Sequence, residues 1–457
     1  MKILLIQPPP RRIEYEGIIV PPLGLAYLAA ALRGDGHDVQ ILDAFALRLD
    51  WDTFEARVAG ATAELIGVTG MTPIVDTSLR ALEIARPYCK YLVFGGAHVS
   101  AVGQKVFQQT PELDFAMYGE CEAAFPQLVR ALENHEDPSN LPGVITREKM
   151  NKPCELLPDL DELPFPARDL LPNELYRYAL SRRERVTTMF TSRGCPYNCV
   201  FCDKSTFGSK WRARSAENIL AEVEEIAGRY DTRSIIIYDD LFTVDKKRVK
   251  EFCEGVVRRG LKIDWKCEGR VNIIDGEMLA LMKRAGCSMI AYGVESANQH
   301  GLDYLNKGAT PDQAREAFAA TRKAGIRTMG YFILGIPVET YEDARKTINF
   351  ALELKADYAQ FSILSPFPNT PMYEDAVKKG WYREVDAQNP MDKDLKRPVM
   401  LNENWDEEKL RNILREAHRR FYLRPGRLLR EVFSLRSPSQ LKSKLSAGLR
   451  LLKWSHE

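Results

Sequence analysis

The stretch that decides the fold is Ser192-Arg193-Gly194-Cys195-Pro196-Tyr197-Asn198-Cys199-Val200-Phe201-Cys202. It follows the run Val186-Thr187-Thr188-Met189-Phe190-Thr191, which ends a predicted strand, and it spaces three cysteines as C-x3-C-x2-C. Three thiolates on one short loop suit an iron–sulfur cluster. Because a [4Fe–4S] cubane has four irons, three protein ligands leave one iron open to a further ligand.

Two other roles are open to these cysteines, a zinc site or a place in a core. A closed zinc site normally takes four ligands, often as two pairs, and the sequence has no second C-x-x-C. Cysteines in a chain this long, with three of them clustered, indicate a reducing compartment more than a disulfide framework. The remaining six are interpreted as core or incidental thiols: Cys89, Cys121, Cys154, Cys253, Cys267 and Cys287.

Length and composition indicate a globular protein. The chain has 457 residues, of which 45% are hydrophobic and 28% charged, which predicts two or three domains. The formal charge of +1 gives no overall signal for a nucleic-acid partner. The sequence contains no apolar run of about 18 residues, and the opening Met1–Ile6 segment runs at once into Gln7-Pro8-Pro9-Pro10. A cytoplasmic location without a signal peptide is therefore expected.

Residues 1–135 alternate between short apolar strands and helical stretches. This alternation predicts a parallel, doubly wound, flavodoxin-like sheet, on which ligands bind at the carboxyl ends of the strands. The predicted strands are Lys2–Gln7, Asp38–Asp43, Leu65–Thr69, Tyr91–Phe94 and Asp114–Tyr118. The predicted helical stretches are Gly24–Arg33, Thr53–Ala63, Thr77–Ala85, an irregular Gln104–Gln109 and Glu122–Leu132.

The predicted carboxyl ends of these strands carry glycines and hydroxyl groups. Glycine lets a backbone approach a bulky ligand closely, and a threonine hydroxyl can form a hydrogen bond with it. The segments concerned are Gln7-Pro8-Pro9, Thr69-Gly70-Met71-Thr72, Gly95-Gly96-Ala97-His98 and Tyr118-Gly119-Glu120-Cys121-Glu122. On their own they indicate a nucleotide or cofactor domain.

Residues 136–182 are predicted to be a linker, since prolines punctuate them. Residues 183–372 then repeat strand and helix six times, which predicts a partial (β/α)6 barrel with its active site at the carboxyl ends of the strands. The predicted strands are Arg185–Thr191, Ser234–Tyr238, Lys262–Cys267, Met289–Val294, Arg327–Leu334 and Tyr358–Ile363. The predicted helices are Ala216–Arg229, Lys246–Arg258, Gly276–Arg284, Pro311–Lys323 and Tyr341–Leu354.

Taken together, these segments resemble the cobalamin-dependent radical SAM enzymes, and the resemblance covers nearly the whole chain. It rests on the cysteine loop, on Pro22–Leu32, on Gly36-His37-Asp38-Val39 and on the turns after the fourth and fifth strands of the first region. It implies an N-terminal cobalamin-binding domain, a radical SAM core barrel, and a [4Fe–4S] cluster on Cys195, Cys199 and Cys202. It also implies S-adenosylmethionine (SAM) on the open iron and an external electron donor such as flavodoxin or ferredoxin.

The resemblance also assigns residues to the cofactors. The corrinoid would lie against Thr69, Thr72, Gly95, Gly96, His98, Tyr118, Gly119 and Glu120. SAM would lie against Phe201, Arg270, Glu295, Ser296 and Ile336. The carboxylates have an alternative as structural partners of neighbouring Lys or Arg, and Asn369 stands where relatives commonly have glycine.

The lower ligand of cobalt and the chemistry at the substrate follow less directly. The chain lacks Asp-x-His-x-x-Gly, so we expect cobalt without a histidine from this domain, with His37 as a surface turn residue. A domain that has kept its fold and lost the cofactor is the alternative. Tyr238, Asp239 and Tyr331 are the predicted catalytic residues, although a tyrosine at such a place can also serve only to shape a pocket.

The C-terminal region, residues 373–457, is predicted to end in a basic helix. From Arg411 onward there are twelve Lys or Arg against three Glu, a net charge of +9. Leucines at helical spacing, from Leu441 to Leu452, predict either contact with an anionic membrane surface or a helix packed on the barrel with a solvated basic face. Arg420–Pro425 resembles a segment of hopanoid methylases and of the magnesium-porphyrin oxidative cyclase, which favours a small or lipid-like substrate.

The sequence therefore predicts a methylase of an unactivated carbon that uses SAM, a cluster and cobalamin. A second possibility is a radical SAM cyclase, rearrangement or deoxygenation enzyme, with cobalamin in another role or absent. A third, from a different class, is a cluster-bearing electron carrier or a corrinoid-binding regulator, against which the complete barrel argues.

Overall fold

A computed structural model describes residues 1–11, 18–181, 183–386 and 396–424. The chain forms two compact units. The first comprises Met1–Pro196 and Lys204–Ile236, and the second comprises Tyr197–Asp203 and the chain from Ile237 onward. The predicted basic helix of the tail, from Leu441 to Trp454, lies outside the described residues.

The first unit contains strands β1 to β12 and helices α1 to α7. The strands are β1 (Lys2–Gln7), β2 (Ile18–Ile19), β3 (Asp38–Asp43), β4 (Leu65–Thr69), β5 (Tyr91–Gly95), β6 (Phe115–Met117), β7 (Val144–Ile145), β8 (Arg177–Tyr178), β9 (Thr187–Met189), β10 (Ser192–Arg193), β11 (Arg212–Ala213) and β12 (Ser234–Ile237). The helices are α1 (Leu23–Gly34), α2 (Trp51–Gly60), α3 (Val75–Ala85), α4 (Ala97–Val102), α5 (Val106–Gln109), α6 (Ala124–Glu133) and α7 (Ala216–Arg229).

The first sheet has the strand order β3-β1-β4-β5-β6-β7. The pairs from β3 to β6 are parallel, which confirms the predicted doubly wound sheet. Successive residues of β1 enter different cores, because side chains alternate between the faces of a strand: Leu4 and Ile6 pack in one, Ile3 and Leu5 in the other. The antiparallel edge strand β7 was not predicted, since two residues are too short to give a periodic pattern.

One helix of the first unit was also missed. Helix α4 begins immediately after Gly96, whose φ is 98°. The sequence Gly95-Gly96-Ala97-His98 was interpreted as a turn, and the structure continues it as a helix of 6 residues.

The second unit contains strands β13 to β18 and helices α8 to α14. The strands are β13 (Asp264–Gly269), β14 (Cys287–Glu295), β15 (Arg327–Leu334), β16 (Tyr358–Ile363), β17 (Tyr382–Asp386) and β18 (Lys396–Met400). The helices are α8 (Lys246–Arg258), α9 (Gly276–Arg284), α10 (Gln299–Tyr304), α11 (Pro311–Lys323), α12 (Tyr341–Glu353), α13 (Pro371–Lys378) and α14 (Glu407–Tyr422).

The second sheet has six strands in the order β16-β15-β14-β13-β12-β9, and the division between the units falls inside β12. The pairs from β13 to β16 are parallel, and this succession of strand and helix confirms the predicted open barrel. Its helices begin where the sequence supplies caps, because the side chains of Thr310 and Thr340 each complete a capping box. The predicted strand Arg185–Thr191 is shorter than expected, and the chain after it pairs as the ribbon β10–β11.

The linker contributes buried side chains to the first unit. Arg168 is 2% exposed and binds Glu222 of α7, and the Tyr176 hydroxyl donates to Asp43 at 2.9 Å. None of the described helices combines the length and apolar character needed to cross a membrane.

Candidate cofactor and substrate site

The cysteine loop leaves the ribbon β10–β11 through a glycine. Gly194 has a φ of 82°, and a Cβ there would collide with the Lys210 carbonyl, so only glycine fits this position. The next backbone amide, of Cys195, donates to the Gly208 carbonyl at 3.4 Å. The ribbon thus fixes the backbone of the first predicted cluster ligand within the first unit.

The rest of the loop is held by backbone contacts within the second unit. The Val200 amide donates to the Leu305 carbonyl, and the Met372 amide donates to the Val200 carbonyl, both at 3.1 Å. The Asn306 side chain adds a hydrogen bond of 2.7 Å to the Asn198 carbonyl. These contacts fix the backbone on either side of Cys199.

The donor set fits an iron–sulfur cluster. Cys195 and Cys199 are half-buried and Cys202 is exposed, whereas Cys253, Cys267 and Cys287 are buried. Burial raises the pKa of the Cys253 and Cys267 thiols, which disfavours the thiolate form that binds metal. Within the described residues, no three His, Cys, Asp or Glu side chains are gathered as a ready metal site. Ligands of this kind can be drawn together by the metal itself, and the assignment of the three cysteines stays a prediction.

Arg270 offers a cation beside the cysteine loop. Its guanidinium lies 3.7 Å from the centre of the Tyr197 ring, and its Nε donates to Asn272 at 3.0 Å. Its Nη2 is buried and has no hydrogen-bond partner among the described residues. A buried donor of this kind is costly unless a ligand accepts its hydrogen bond, so the geometry suits an anion such as a carboxylate.

Glu295 is paired within the protein. Its carboxylate lies 2.6 Å from Lys307 Nζ, and its own φ is 65°. A Cβ at position 293 would lie 2.5 Å from the Glu295 carboxylate and 2.6 Å from Lys307 Nζ, so a larger residue there would displace the ends of these two side chains. The structural alternative for this carboxylate is therefore realised, and its contact with SAM stays a prediction.

Ser296 binds a carboxylate that the sequence interpretation did not select. Its hydroxyl donates to Glu339 Oε1 at 2.5 Å, and Asn298 Nδ2 donates to the same oxygen at 3.1 Å. Burial raises the pKa of Glu339, and its Oε2 has no partner among the described residues. A buried carboxylate at the end of β15 thus joins the turns that follow β14 and β15.

Phe201 and Ile336 meet in one apolar cluster. Ile336 is buried, and Phe201 and Val200 pack against the cluster that contains it. The backbone of the Ile336 turn is held from the C-terminal region, because Trp405 Nε1 donates to the Ile336 carbonyl at 2.9 Å. The side chains of Asn402 and Asn404 both donate to the Pro337 carbonyl at 2.9 Å.

Polar side chains gather on the inner face of β13 and β15. The Tyr331 hydroxyl donates to Glu268 Oε1 at 3.2 Å, and Lys266 Nζ lies 3.8 Å from the same oxygen. Lys266 Nζ also lies 5.7 Å from the centre of the Tyr238 ring. Burial raises the pKa of Glu268, so this carboxyl holds a proton more readily than an exposed glutamate.

Glu268 stands at the predicted end of this strand, beside Arg270, but was not selected as a site residue, and Lys266 was missed. Asp264, Lys266 and Glu268 follow one another at the strand period of two, and that spacing was the available signal. Asp239, predicted to be catalytic, is 1% exposed and lies 3.7 Å from Arg248 Nη2.

The turns after β4 and β5 pack closely on each other. A Cβ at Gly96 would lie 2.7 Å from both the Gly70 carbonyl oxygen and Thr69 Oγ1. The His98 amide donates to the Gly70 carbonyl at 3.0 Å, and Ser78 Oγ donates to the Thr69 carbonyl at 3.0 Å. Gly96 was expected to admit a ligand. The structure gives it a different physical reason, the close approach of these two turns.

His98 is buried, and both of its ring nitrogens have partners. Nδ1 lies 3.2 Å from Thr72 Oγ1 and Nε2 lies 2.9 Å from Gln109 Oε1. Burial lowers the pKa of His98, which keeps the ring neutral. The absence of a histidine ligand from this domain to cobalt stays a prediction. The prediction that His37 is a surface residue was wrong: it is 8% exposed, and its ring nitrogens lie 3.4 Å from an Asp35 oxygen and 3.6 Å from a Glu133 oxygen.

The turn after β6 has an open side and a charged side. Gly119 has a φ of 76°, and a Cβ there would meet nothing within 4 Å. Its amide donates to Ser100 Oγ at 3.0 Å, and the Tyr118 hydroxyl donates to the Asn151 carbonyl at 2.6 Å. The Glu120 carboxylate is bound by Arg193 and Arg212, two residues that sequence reasoning did not select.

Two family models match the chain. The model of the B12 binding domain matches residues 15–129, and the model of the radical SAM superfamily matches residues 189–351. These spans agree with the predicted order of a cobalamin-binding domain followed by a radical SAM core, and the cofactors predicted from sequence are those of these two domains.

Relatives of similar length support the same assignment. The chain is 34% identical over 442 residues to an uncharacterized methyltransferase of Pyrococcus horikoshii, PH0819, and the match covers 95% of each chain. It is 28% identical to the anaerobic magnesium-protoporphyrin IX monomethyl ester cyclase of Rubrivivax gelatinosus, over 88% of this chain and 74% of that one. The fold is similar to that of the radical SAM methyltransferase TsrM from Kitasatospora setae, solved with cobalamin and a [4Fe-4S] cluster. The TM-score is 0.74 at 18% identity, covering 93% of this chain and 89% of that one. The chain belongs to the radical SAM superfamily and, through its B12-binding domain, to the cobalamin-dependent radical SAM enzymes.

Proposed function

We propose that this protein methylates an unactivated carbon of a small or lipid-like substrate, using SAM, a [4Fe–4S] cluster and cobalamin. One observation carries the proposal: a single chain contains the B12-binding domain, the radical SAM domain and the three-cysteine loop. The identity of 34% to a protein described as a methyltransferase, over 95% of both chains, supports methyl transfer as the reaction.

The chain's own residues have distinct tasks in this proposal. Cys195, Cys199 and Cys202 would hold the cluster, and the Arg270 guanidinium would bind the SAM carboxylate. Phe201 and Ile336 present apolar surface to the adenine. When bound, these cofactors would supply two things: a carbon-centred radical, which abstracts a hydrogen atom from the substrate, and a methyl group, which is transferred to it.

The polar group on β13 and β15 orients the substrate. Tyr331 and Lys266 both approach Glu268 Oε1, so this oxygen can exchange a proton with a polar group of the substrate through a short hydrogen-bonded path. Tyr238, beside Lys266, lies at one side of these protein side chains. In this proposal an external flavodoxin or ferredoxin supplies electrons to the cluster.

The test uses protein purified without oxygen, its iron and cobalt contents, and SAM labelled in the methyl group. We expect corrinoid absorbance bands, reductive formation of 5′-deoxyadenosine, and transfer of label into the product. Alanine at Cys195, Cys199 or Cys202 should abolish both cluster loading and SAM cleavage, whereas alanine at the buried Cys253 should preserve them. Intact iron loading and SAM cleavage in any of the three cysteine variants would contradict the proposal.

A second candidate is a radical SAM cyclase or a related enzyme without methyl transfer. The identity of 28% to the magnesium-protoporphyrin cyclase over 88% of this chain favours it. The labelled-SAM experiment separates the two, because 5′-deoxyadenosine formed with a product that contains no label identifies the second candidate.

A further inference from the structure

Two arginines face each other across the ribbon that leads into the cysteine loop. In the antiparallel pair β10–β11, Arg193 stands opposite Arg212. They are 3% and 4% exposed. Like charges directly opposite each other destabilise a strand pair, and burial increases their repulsion. The ribbon therefore needs an anion between these two side chains.

Glu120, from the turn after β6, supplies that anion. Arg193 Nη1 and Arg212 Nη1 both donate to Glu120 Oε2 at 3.1 Å, and Arg212 Nη2 donates to Glu120 Oε1. Glu122 binds only one member of the pair, through a 2.5 Å hydrogen bond from Arg193 Nη2. Glu120 is thus the carboxylate that joins the two strands.

The turn that carries Glu120 has a second face. Gly119 precedes it, with space beyond its Cα, at the carboxyl edge of the first sheet. That edge is where ligands bind on doubly wound sheets. A ligand placed against Gly119 would fix the position of the backbone at Gly119 and Glu120. The Glu120 carboxylate reaches the two arginines from this backbone.

The ribbon continues without a break into the cluster loop. Arg193 is followed by Gly194 and Cys195, and the Cys195 amide is bound to the Gly208 carbonyl of the same hairpin. A displacement of Glu120 would therefore be transmitted through Arg193 and Arg212 to the backbone of Cys195. The path is contiguous and lies entirely within the first unit.

We infer that Glu120 is a positioning residue that couples corrinoid binding at the first sheet to the placement of Cys195. This inference rests on the proposed function, because it requires that the first sheet bind a corrinoid. By linkage, the coupling is reciprocal. If corrinoid binding changes the affinity of the Cys195 site for iron by some factor, iron binding at that site changes the affinity for the corrinoid by the same factor.

The test reads the thiol in iron-free protein, so it does not depend on turnover. Cys195 is alkylated with iodoacetamide, with and without saturating cyanocobalamin, and its peptide is followed by mass spectrometry. In the native chain we expect the ligand to change the alkylation rate by about fivefold or more, the lower end of ordinary coupling. In Glu120→Gln, at a cyanocobalamin concentration that saturates this variant in its own absorbance titration, the change should fall below about twofold.

Glu122→Gln is the matched control, because it removes a neighbouring carboxylate and leaves the bridge between Arg193 and Arg212 intact. It should retain the ligand effect. Glu120→Asp provides a second variant should Glu120→Gln fail to fold, because it keeps the charge and is one methylene too short to reach both guanidiniums. It should lose the ligand effect as well.

The outcomes separate the inference from the function. A native chain that binds cyanocobalamin without any change at Cys195, or a Glu120 variant that keeps the full change, overturns the inference and leaves the proposed function standing. A native chain that binds no cyanocobalamin overturns the cobalamin part of the proposed function and the inference together.

Discussion

The turns at the carboxyl edges of the two sheets are built differently, although both are predicted to bind a cofactor. After β4 and β5, the first sheet presents neutral groups that already bind one another, such as His98 with Thr72 and Gln109. After β13 and β15, the second sheet presents charged groups, and Arg270 Nη2 and Glu339 Oε2 are buried without a hydrogen-bond partner in the described part of the chain.

This difference indicates two ways of holding a ligand. After β4 and β5, the first edge is preformed from backbone and neutral side chains, so this part of it would recognise a large ligand by shape. The second edge keeps buried polar atoms whose desolvation is not yet compensated, so it would recognise a small zwitterion by charge. Substitutions that add volume should therefore act most strongly at the first edge, and substitutions that remove charge should act most strongly at the second.

The largest effect is expected at Gly96. Its φ of 98° and ψ of −175° belong to a region that only glycine adopts readily, and a Cβ would lie 2.7 Å from the Gly70 carbonyl oxygen. Gly96→Ala should lower the free energy of unfolding by roughly 2–6 kcal/mol, the sum of backbone strain and overpacking, as measured by urea titration. Gly119→Ala is the control, since its φ of 76° is also positive and nothing lies within 4 Å of the new Cβ. It should cost only about 1–2 kcal/mol, and equal losses in the two variants would contradict a crowded first edge.

The sequence predicted the strands that lead to this edge, but it did not show why position 96 must be glycine. Strands β1, β3 and β4 were predicted with the bounds that the structure shows, because each is a compact apolar run followed by turn residues. The reason for Gly96 depends on Thr69 and Gly70, which lie more than twenty residues earlier in the chain and meet it only in the folded sheet. No local pattern reports such a contact.

At the second edge, the largest expected effect follows removal of the Arg270 charge. Arg270→Met should raise the Kd for SAM by roughly 10- to 150-fold, the equivalent of a hydrogen bond to a charged group worth about 1.5–3 kcal/mol. Equilibrium dialysis of reconstituted protein measures it. Iron content must be measured beside it, because Arg270 also stacks on Tyr197 in the cysteine loop. Arg258→Met, at an exposed position of α8, is the control, and similar Kd values in both variants would show that the Arg270 charge does not contribute to SAM binding.

Sequence reasoning found the second edge more completely than the first, for a physical reason. Arg270, Glu295 and Ser296 stand next to predicted strand ends, so the repeat itself marks them as neighbours. The side chains that bind Glu295 and Ser296 could not be identified from the sequence. Lys307 belongs to the segment after α10, and Glu339 reaches Ser296 across two turns, so both contacts depend on how the helices pack.

Asp43, at the end of β3, shows how the first sheet treats a charge. Its carboxyl is 2% exposed, accepts from the Ala46 amide and the Tyr176 hydroxyl at 2.9 Å each, and burial raises its pKa to about 6. Because the pKa in the folded state is raised, the folded chain binds this proton more tightly, and stability falls as pH rises through about 6. Between pH 5 and 7 the native chain should lose about 1.4 kcal/mol more stability than Asp43→Asn, as measured by urea unfolding at each pH. Parallel pH profiles of the two chains would show that the sheet does not favour the protonated form of this carboxyl.

The smallest expected effect tests how far the second edge depends on the C-terminal region. Trp405 Nε1 donates to the Ile336 carbonyl at 2.9 Å, and Trp405→Phe keeps an aromatic ring while leaving that buried carbonyl without this donor. The lost hydrogen bond should weaken SAM binding by about 1 kcal/mol, because the turn is held less firmly. This corresponds to a roughly fivefold rise in the Kd for SAM. Trp381→Phe is the matched control, because that ring packs against the same apolar cluster and lies under Lys379 at 4.6 Å. If Trp405→Phe binds SAM as tightly as Trp381→Phe does, the turn keeps its shape without the C-terminal region, and recognition at this edge depends on Arg270 and the apolar contacts alone.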